Sequence, residues 1–177
     1  FTCALLSLLK EKIQEVRAFK CGPDYIDPMF HQYVLGIPGG NLDSFFLEAD
    51  QVRQVFASRL KETGADLAVI EGVMGYYDGI GAVSKRASSW EISVMTGTPS
   101  VLILDCKGAS VSLAAQVKGF ADFVDNSNIC GVILNRLSPM LYERLKPVIE
   151  ETGIKVYGYL PEIKECSLES RHLGLLM

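Results

Sequence analysis

The chain has 177 residues, 49 % of them hydrophobic and 21 % charged, with a mean hydropathy of +0.22; this excludes a disordered or collagen-like protein and makes one domain the prior. Folding at this length buries roughly 70 % of the unfolded surface, so no disulfide or metal staple is required. Lys and Arg number 17 against 21 Asp and Glu, a formal charge of −4, so composition offers no basic surplus for nucleic acid or an anionic membrane surface.

The cysteines (Cys3, Cys21, Cys106, Cys130 and Cys166) are scattered, odd in number and form no C-x-x-C pair, which points away from disulfides and zinc and toward a reducing, cytoplasmic home. Apolar runs break within about ten residues, well short of the roughly 20 a membrane span needs. The start shows neither a basic region nor a small-residue cleavage site, so no signal peptide is expected.

In chain order, Leu5, Leu8, Leu9 and Ile13 share one helical stripe, and Val16 to Phe19 reads as a short strand. A helix is expected over about 48–63, closed by Gly64, followed by the strand Asp66 to Glu71. A helix over 88–96, closed by Gly97, precedes the strand Ser100 to Asp105. A helix over 110–124 precedes the strand Ile129 to Asn135, and one over 141–152, closed by Gly153, precedes the run Lys155 to Pro161. Continuous apolar runs of this kind suit strands buried on both faces. The alternation predicts an α/β fold: a doubly wound, mostly parallel sheet with helices on both faces, forming one domain.

In such sheets ligands bind beyond the carboxyl ends of the strands, where Lys20, Glu71, Asp105 and Asn135 stand. Gly22-Pro23 turns the chain straight out of the first strand. Asp27-Pro28 reads as a helix N-cap followed by a first-turn proline, a role as good for Asp27 as contact with a metal or substrate. Asp24 and Lys20 carry no such local role; a lysine with a carboxylate four residues on suits phosphate neutralisation beside a hard, oxygen-seeking cation. Glycines 72, 75 and 79 permit close backbone approach to a ligand, and Glu71 and Asp78 bring two carboxylates to that loop. Asn41-Leu42-Asp43 is a further polar spot, equally readable as turn chemistry. Asn135 could read a purine edge or cap a turn. His31 and His172 lack ligand spacing and are read as ordinary polar or packing residues; Tyr142, Arg144 and Lys146 are read as a solvated helix face.

Lys20-x-Gly22-Pro23-Asp24-Tyr25-Ile26-Asp27-Pro28-x-Phe30-His31, Asn41-Leu42-Asp43, Glu71-Gly72-Val73-Met74-Gly75-x-Tyr77-Asp78-Gly79, Gly131 to Asn135 and Arg171-His172-Leu173-Gly174-Leu175 resemble, in order and across the whole chain, the cobyrinic acid a,c-diamide synthase family. The resemblance implies the N-terminal synthetase domain, with a dethiobiotin-synthetase-like P-loop fold. It implies ATP- and Mg²⁺-dependent amidation of the a and c carboxylates of a corrinoid in cobalamin biosynthesis, through an acyl phosphate that ammonia from glutamine displaces. Lys20 would then sit by the phosphates and Glu71 by Mg²⁺, with Asp24 as a second metal ligand. Asp24, Tyr25, Asp27, Asp43 and Asp78 would line the catalytic and substrate rim, and Asn135 would hold the adenine.

Two departures accompany the resemblance. The pattern G-x-x-x-x-G-K-[ST] is absent, and it would belong just before a helix such as Thr2 to Gln14, so Phe1 is expected to be a cut edge. No cysteine stands in a nucleophile-elbow context, so a glutaminase domain is expected outside these residues and the fragment is expected to be inactive alone. Where the family pattern places Glu before Arg171-His172, this chain has Ser170, with Glu169 one place earlier. A homodimer is compatible with this reading. The neighbouring alternatives are a nickel-tetrapyrrole a,c-diamide synthase and cobyric acid synthase. From other classes come a partitioning-type ATPase switch, which has little use for clustered Asp24, Asp27 and Asp78, and a scaffold that has lost its nucleotide chemistry.

Overall fold

The computed structural model describes residues 1–163, so the motif Arg171 to Leu175, with His172, and the departure at Glu169 and Ser170 lie outside the described residues. The chain forms two compact units, one running from Phe1 to Gly97 and the other beginning at Thr98. The expected parallel α/β architecture is present, as two three-stranded sheets, one in each unit.

In the first unit α1 (Thr2–Lys12) leads to β1 (Val16–Cys21), α2 (Ile26–Tyr33), β2 (Asn41–Leu42), α3 (Ala49–Thr63), β3 (Leu67–Glu71) and α4 (Ser89–Thr96). The strands pair in parallel in the order β2-β1-β3. Every residue of β1 is buried, Arg17 and Lys20 included, as befits a central strand covered on both faces. Phe19 and Cys21 on one face pack with Leu42, Val52 and Ile92. Val16 and Ala18, on the other face by the two-residue period, pack with Leu6 and Ile37. The strand runs two residues beyond the expected Phe19, so Lys20 is the penultimate residue of the strand and lies in its buried interior.

The buried face of α1 differs from the expected stripe. Leu6 is fully buried, with Leu9 and Ile13 packed on the same cluster, whereas Leu8 is exposed. With Leu5, Leu6, Leu8 and Leu9 all apolar, the 3.6-residue period does not single out a face, and the strand behind the helix decides.

Helix ends follow their chemistry. Glu48 and Gln51 form a capping box on α3, and Gly64 and Gly97 close α3 and α4 in the left-handed region at φ 63° and 66°. The Ser88 hydroxyl accepts from the Glu91 N–H at the start of α4.

The second unit holds β4 (Ser100–Asp105), α5 (Ser112–Asp122), β5 (Ile129–Asn135), α6 (Pro139–Glu150) and β6 (Lys155–Leu160), with parallel strand order β4-β5-β6. Burial on both faces does not extend to β4: Leu102 and Leu104 are buried while Val101 and Ile103 are exposed, the two-residue alternation of a strand covered on one side. Tyr142 is not simply part of a solvated face, because its ring stacks on Tyr159 at 4.3 Å between centroids.

Candidate functional site

Strand register builds the site. Lys20 pairs with Asn41 of β2 on one side and with Glu71 of β3 on the other, so three polar residues stand abreast at the carboxyl edge of one sheet. Directly beyond β1 the chain turns through Gly22, at φ 80°, into α2. That turn returns α2 over the strand end.

The N-cap of α2 is Tyr25, and it is Asp24, not the expected Asp27, whose side chain satisfies the first N–H groups of the helix. The Asp24 carboxylate accepts from the Ile26 N–H at 2.9 Å and the Asp27 N–H at 3.4 Å, and the helix begins at Ile26, so Asp27 is inside the first turn. Asp24 therefore has the local structural role that its sequence context did not suggest. Freed from capping, Asp27 accepts a hydrogen bond from Lys20 Nζ at 2.6 Å. Glu71 Oε2 lies 3.6 Å and Asp24 Oδ2 4.0 Å from the same nitrogen.

Lys20 is thus a buried ammonium facing three carboxylates. Burial desolvates it and by itself lowers its pKa, but the Asp27 hydrogen bond and the charges of Glu71, Asp27 and Asp24 outweigh that and leave it above the ordinary lysine value. Glu71 Oε2 is buried and accepts no hydrogen bond, although His31 Nε2 stands 3.8 Å away. His31 is 2 % exposed and belongs to this cluster, which its sequence context did not reveal. The available signal was its i,i+4 spacing from Asp27, which puts both on one helix face.

Asn41 clamps the turn: its side-chain amide donates to the Gly22 carbonyl at 2.8 Å and to the Asp24 carbonyl. Asp43 is nearly buried, and its carboxylate accepts from the Phe45 N–H at 2.8 Å, the turn chemistry its neighbours suggested. Tyr25 is 72 % exposed and, with Asp24 and Asp43, lines two adjoining cavities of about 540 and 480 Å³.

The loop after Glu71 is held by its own side chains. Ser89 Oγ accepts from the Val73 N–H at 3.0 Å, and a Cβ on Gly72 would sit 2.8 Å from that oxygen. The Asp78 carboxylate accepts from the Gly75 N–H at 3.1 Å, which fixes the loop's turn. Ser89 is a further residue with no sequence signal beyond its place at a helix start. Asn135 ends β5 in the second unit, opposite Asp105, and its carbonyl accepts from the Cys106 N–H. Asp105 itself is engaged by the Arg136 guanidinium through both of its oxygens.

The donor set can be tested against a magnesium ion. Among the described residues no group of three or more His, Cys, Asp or Glu converges to hold a metal. Mg²⁺, however, commonly takes only one or two carboxylates and fills its octahedron with water and phosphate oxygens. Glu71, with a buried oxygen lacking a hydrogen-bond partner, and Asp24 fit that need.

A parallel α/β sheet that presents a buried lysine and carboxylates at its carboxyl edge defines a ligand-binding domain of the nucleotide-binding α/β class. The chain belongs to the CobQ/CobB/MinD/ParA nucleotide binding domain family, whose model matches residues 1–175 and is of the P-loop NTPase type. It is 42 % identical over 177 residues to proteins named cobyrinate a,c-diamide synthase from Priestia megaterium and from Thermoplasma volcanium. A protein of the same name from Salmonella typhimurium is 41 % identical over 177 residues. These matches cover 99 % of this chain and 38 % of each relative, so the chain spans well under half the length of the relatives it matches.

Proposed function

We propose that this chain is the ATP-dependent amidoligase part of an enzyme that converts the a and c carboxylates of cobyrinate to amides with ammonia from glutamine. The observation that carries the reading is the convergence of Asp24, Asp27 and Glu71 on Lys20 at the sheet edge of a nucleotide-binding domain. The relatives' names supply the reaction class.

In this reading a substrate carboxylate attacks the γ-phosphorus of ATP, ADP leaves, and an acyl phosphate forms. The lone pair of ammonia then attacks the acyl carbon, inorganic phosphate departs and a proton is lost from nitrogen. The chain must bring anions together, so positioning and charge neutralisation are its main work. Lys20 would face the phosphates, with Asp27 fixing its ammonium. Glu71 and Asp24 would hold Mg²⁺, which when bound offsets phosphate charge. Tyr25, Asp43 and Asp78 would contact the corrinoid. Ammonia would come from a glutaminase domain of the same cytoplasmic enzyme.

The test is glutamine-dependent conversion of cobyrinate to its a,c-diamide by the intact enzyme with Mg-ATP, scored with ADP release. Wild type should form diamide, and Glu71→Gln should lower turnover by about 100-fold or more, the scale of losing a metal ligand or charge-stabilising group. Wild-type turnover in Glu71→Gln overturns the site assignment; no diamide from wild type overturns the reading.

A further inference from the structure

The cavity of about 480 Å³ beside the lysine cluster has a composition the site chemistry leaves unexplained. Its lining includes Asp24 and Asp43 but neither Lys nor Arg, and Phe45, Met74 and Ile80 line it as well. All three are exposed, at 49 %, 75 % and 38 %, although large apolar side chains gain by being covered. Phe45 is braced edge-on by Phe46 at 4.7 Å between centroids. Met74 is held at φ 54°, a left-handed conformation that costs a non-glycine residue energy. Its neighbours pin it there: Ser89 Oγ holds the Val73 N–H and Asp78 holds the Gly75 N–H. A strained backbone therefore presents a flexible apolar side chain to the cavity. The volume falls in the range of small-molecule sites, about 300–1,000 Å³.

We infer that Phe45, Met74 and Ile80 form an apolar wall that receives the ring of a tetrapyrrole polycarboxylate, an inference that rests on the amidoligase reading for its substrate class. A polycarboxylate meets no Lys or Arg in the lining of this cavity, and Asp43 disfavours an acidic arm placed against it. Affinity must then come from the apolar face of the macrocycle, with one arm directed to the phosphate end at Lys20. The acids in the same lining act on specificity by disfavouring orientations that turn a carboxylate toward them.

Equilibrium dialysis of cobyrinate against the intact enzyme, read by the corrinoid's visible absorbance, tests this without turnover. Phe45→Ala and Met74→Ser should each raise Kd about tenfold, the scale of losing one buried apolar side chain, while Phe45→Leu and Met74→Leu stay within about twofold. Raising salt should not weaken wild-type binding, because no ion pair to the protein holds the ring. ATP affinity, measured in parallel, reports that each variant is folded. Wild-type Kd in both Phe45→Ala and Met74→Ser, with diamide still formed, overturns the wall alone. The expected binding pattern in an enzyme that makes no diamide upholds the wall and overturns the amidoligase reading. Absence of both binding and diamide overturns both.

Discussion

His31 Nε2 lies 3.8 Å from Glu71 Oε2, the buried carboxylate oxygen that accepts no hydrogen bond. The imidazole comes from α2 and the carboxylate from the end of β3, so this approach ties the helix to the strand edge at the centre of the candidate site. Removing the ring should leave both a void and a less constrained carboxylate. His31→Ala is expected to lower stability by about 2–4 kcal/mol, the scale of a large-to-small change at a buried site. Chemical denaturation measures this, and a loss below about 0.5 kcal/mol would show that the ring is not packed as described.

Asp24 and Asp27 should separate on substitution. Asp24 satisfies the first N–H groups of α2 with a side-chain oxygen, a task asparagine also performs, so Asp24→Asn should hold the thermal midpoint while Asp24→Ala costs about 1 kcal/mol. Asp27 makes the 2.6 Å contact with Lys20, and Asp27→Asn removes its charge without removing its bulk. The expected result is a folded protein whose Lys20 pKa falls, because desolvation then meets less opposition. Nuclear magnetic resonance of the lysine side chain reads that fall, and an unchanged value would place Asp27 away from the ammonium.

The parallel α/β plan was legible because strands such as β5 appear as continuous apolar runs, and because Gly64 and Gly97 mark helix ends. Lys20 and Glu71 were legible for a related reason: each is a charge where an apolar run stops. Their direct pairing was not, since it depends on the register between β1 and β3, which no local pattern encodes. His31 and Asn41 were missed as partners because each reaches the cluster through tertiary placement, His31 from α2 and Asn41 across the register between β1 and β2. The choice between Asp24 and Asp27 as the capping side chain turned on one residue of helix start, the least readable feature of a helix. Exposure on β4 was hidden because an apolar run does not say how many of its faces are covered.

Gly79 is irreplaceable on steric grounds. A Cβ there would run into the Arg86 carbonyl oxygen and lie 2.7 Å from the Ser84 carbonyl oxygen, closing off the return that lets the Ile80 N–H donate to the Arg86 carbonyl at 3.0 Å. Gly79→Ala should open this loop and cost about 1–3 kcal/mol, the range for overpacking against fixed atoms. Limited proteolysis between residues 79 and 87 should become faster in the variant. Equal cleavage rates would mean the loop does not depend on that return.

Cys21 offers a pH-dependent test of the core beneath the site. Burial raises its thiol pKa, the Ser89 hydrogen bond and the Lys20 charge oppose this, Glu71 adds to it, and the result is a pKa of about 11. An unfolded thiol titrates near about 8.5. Because the folded value is the higher one, the thiol's contribution is complete below the unfolded pKa and is lost as pH rises toward the folded one. Stability should therefore decline by up to roughly 1.4 kcal/mol per pH unit between about pH 8.5 and 11 from this group, and Cys21→Ala should flatten that decline. Denaturation midpoints at pH 7.5 and 10 measure it, and equal slopes for wild type and variant would exclude a buried neutral thiol. Alkylation followed by mass spectrometry adds a second readout. At pH 8 exposed Cys130 should be labelled well before buried Cys21, since only the thiolate reacts and only one of the two is reached by reagent.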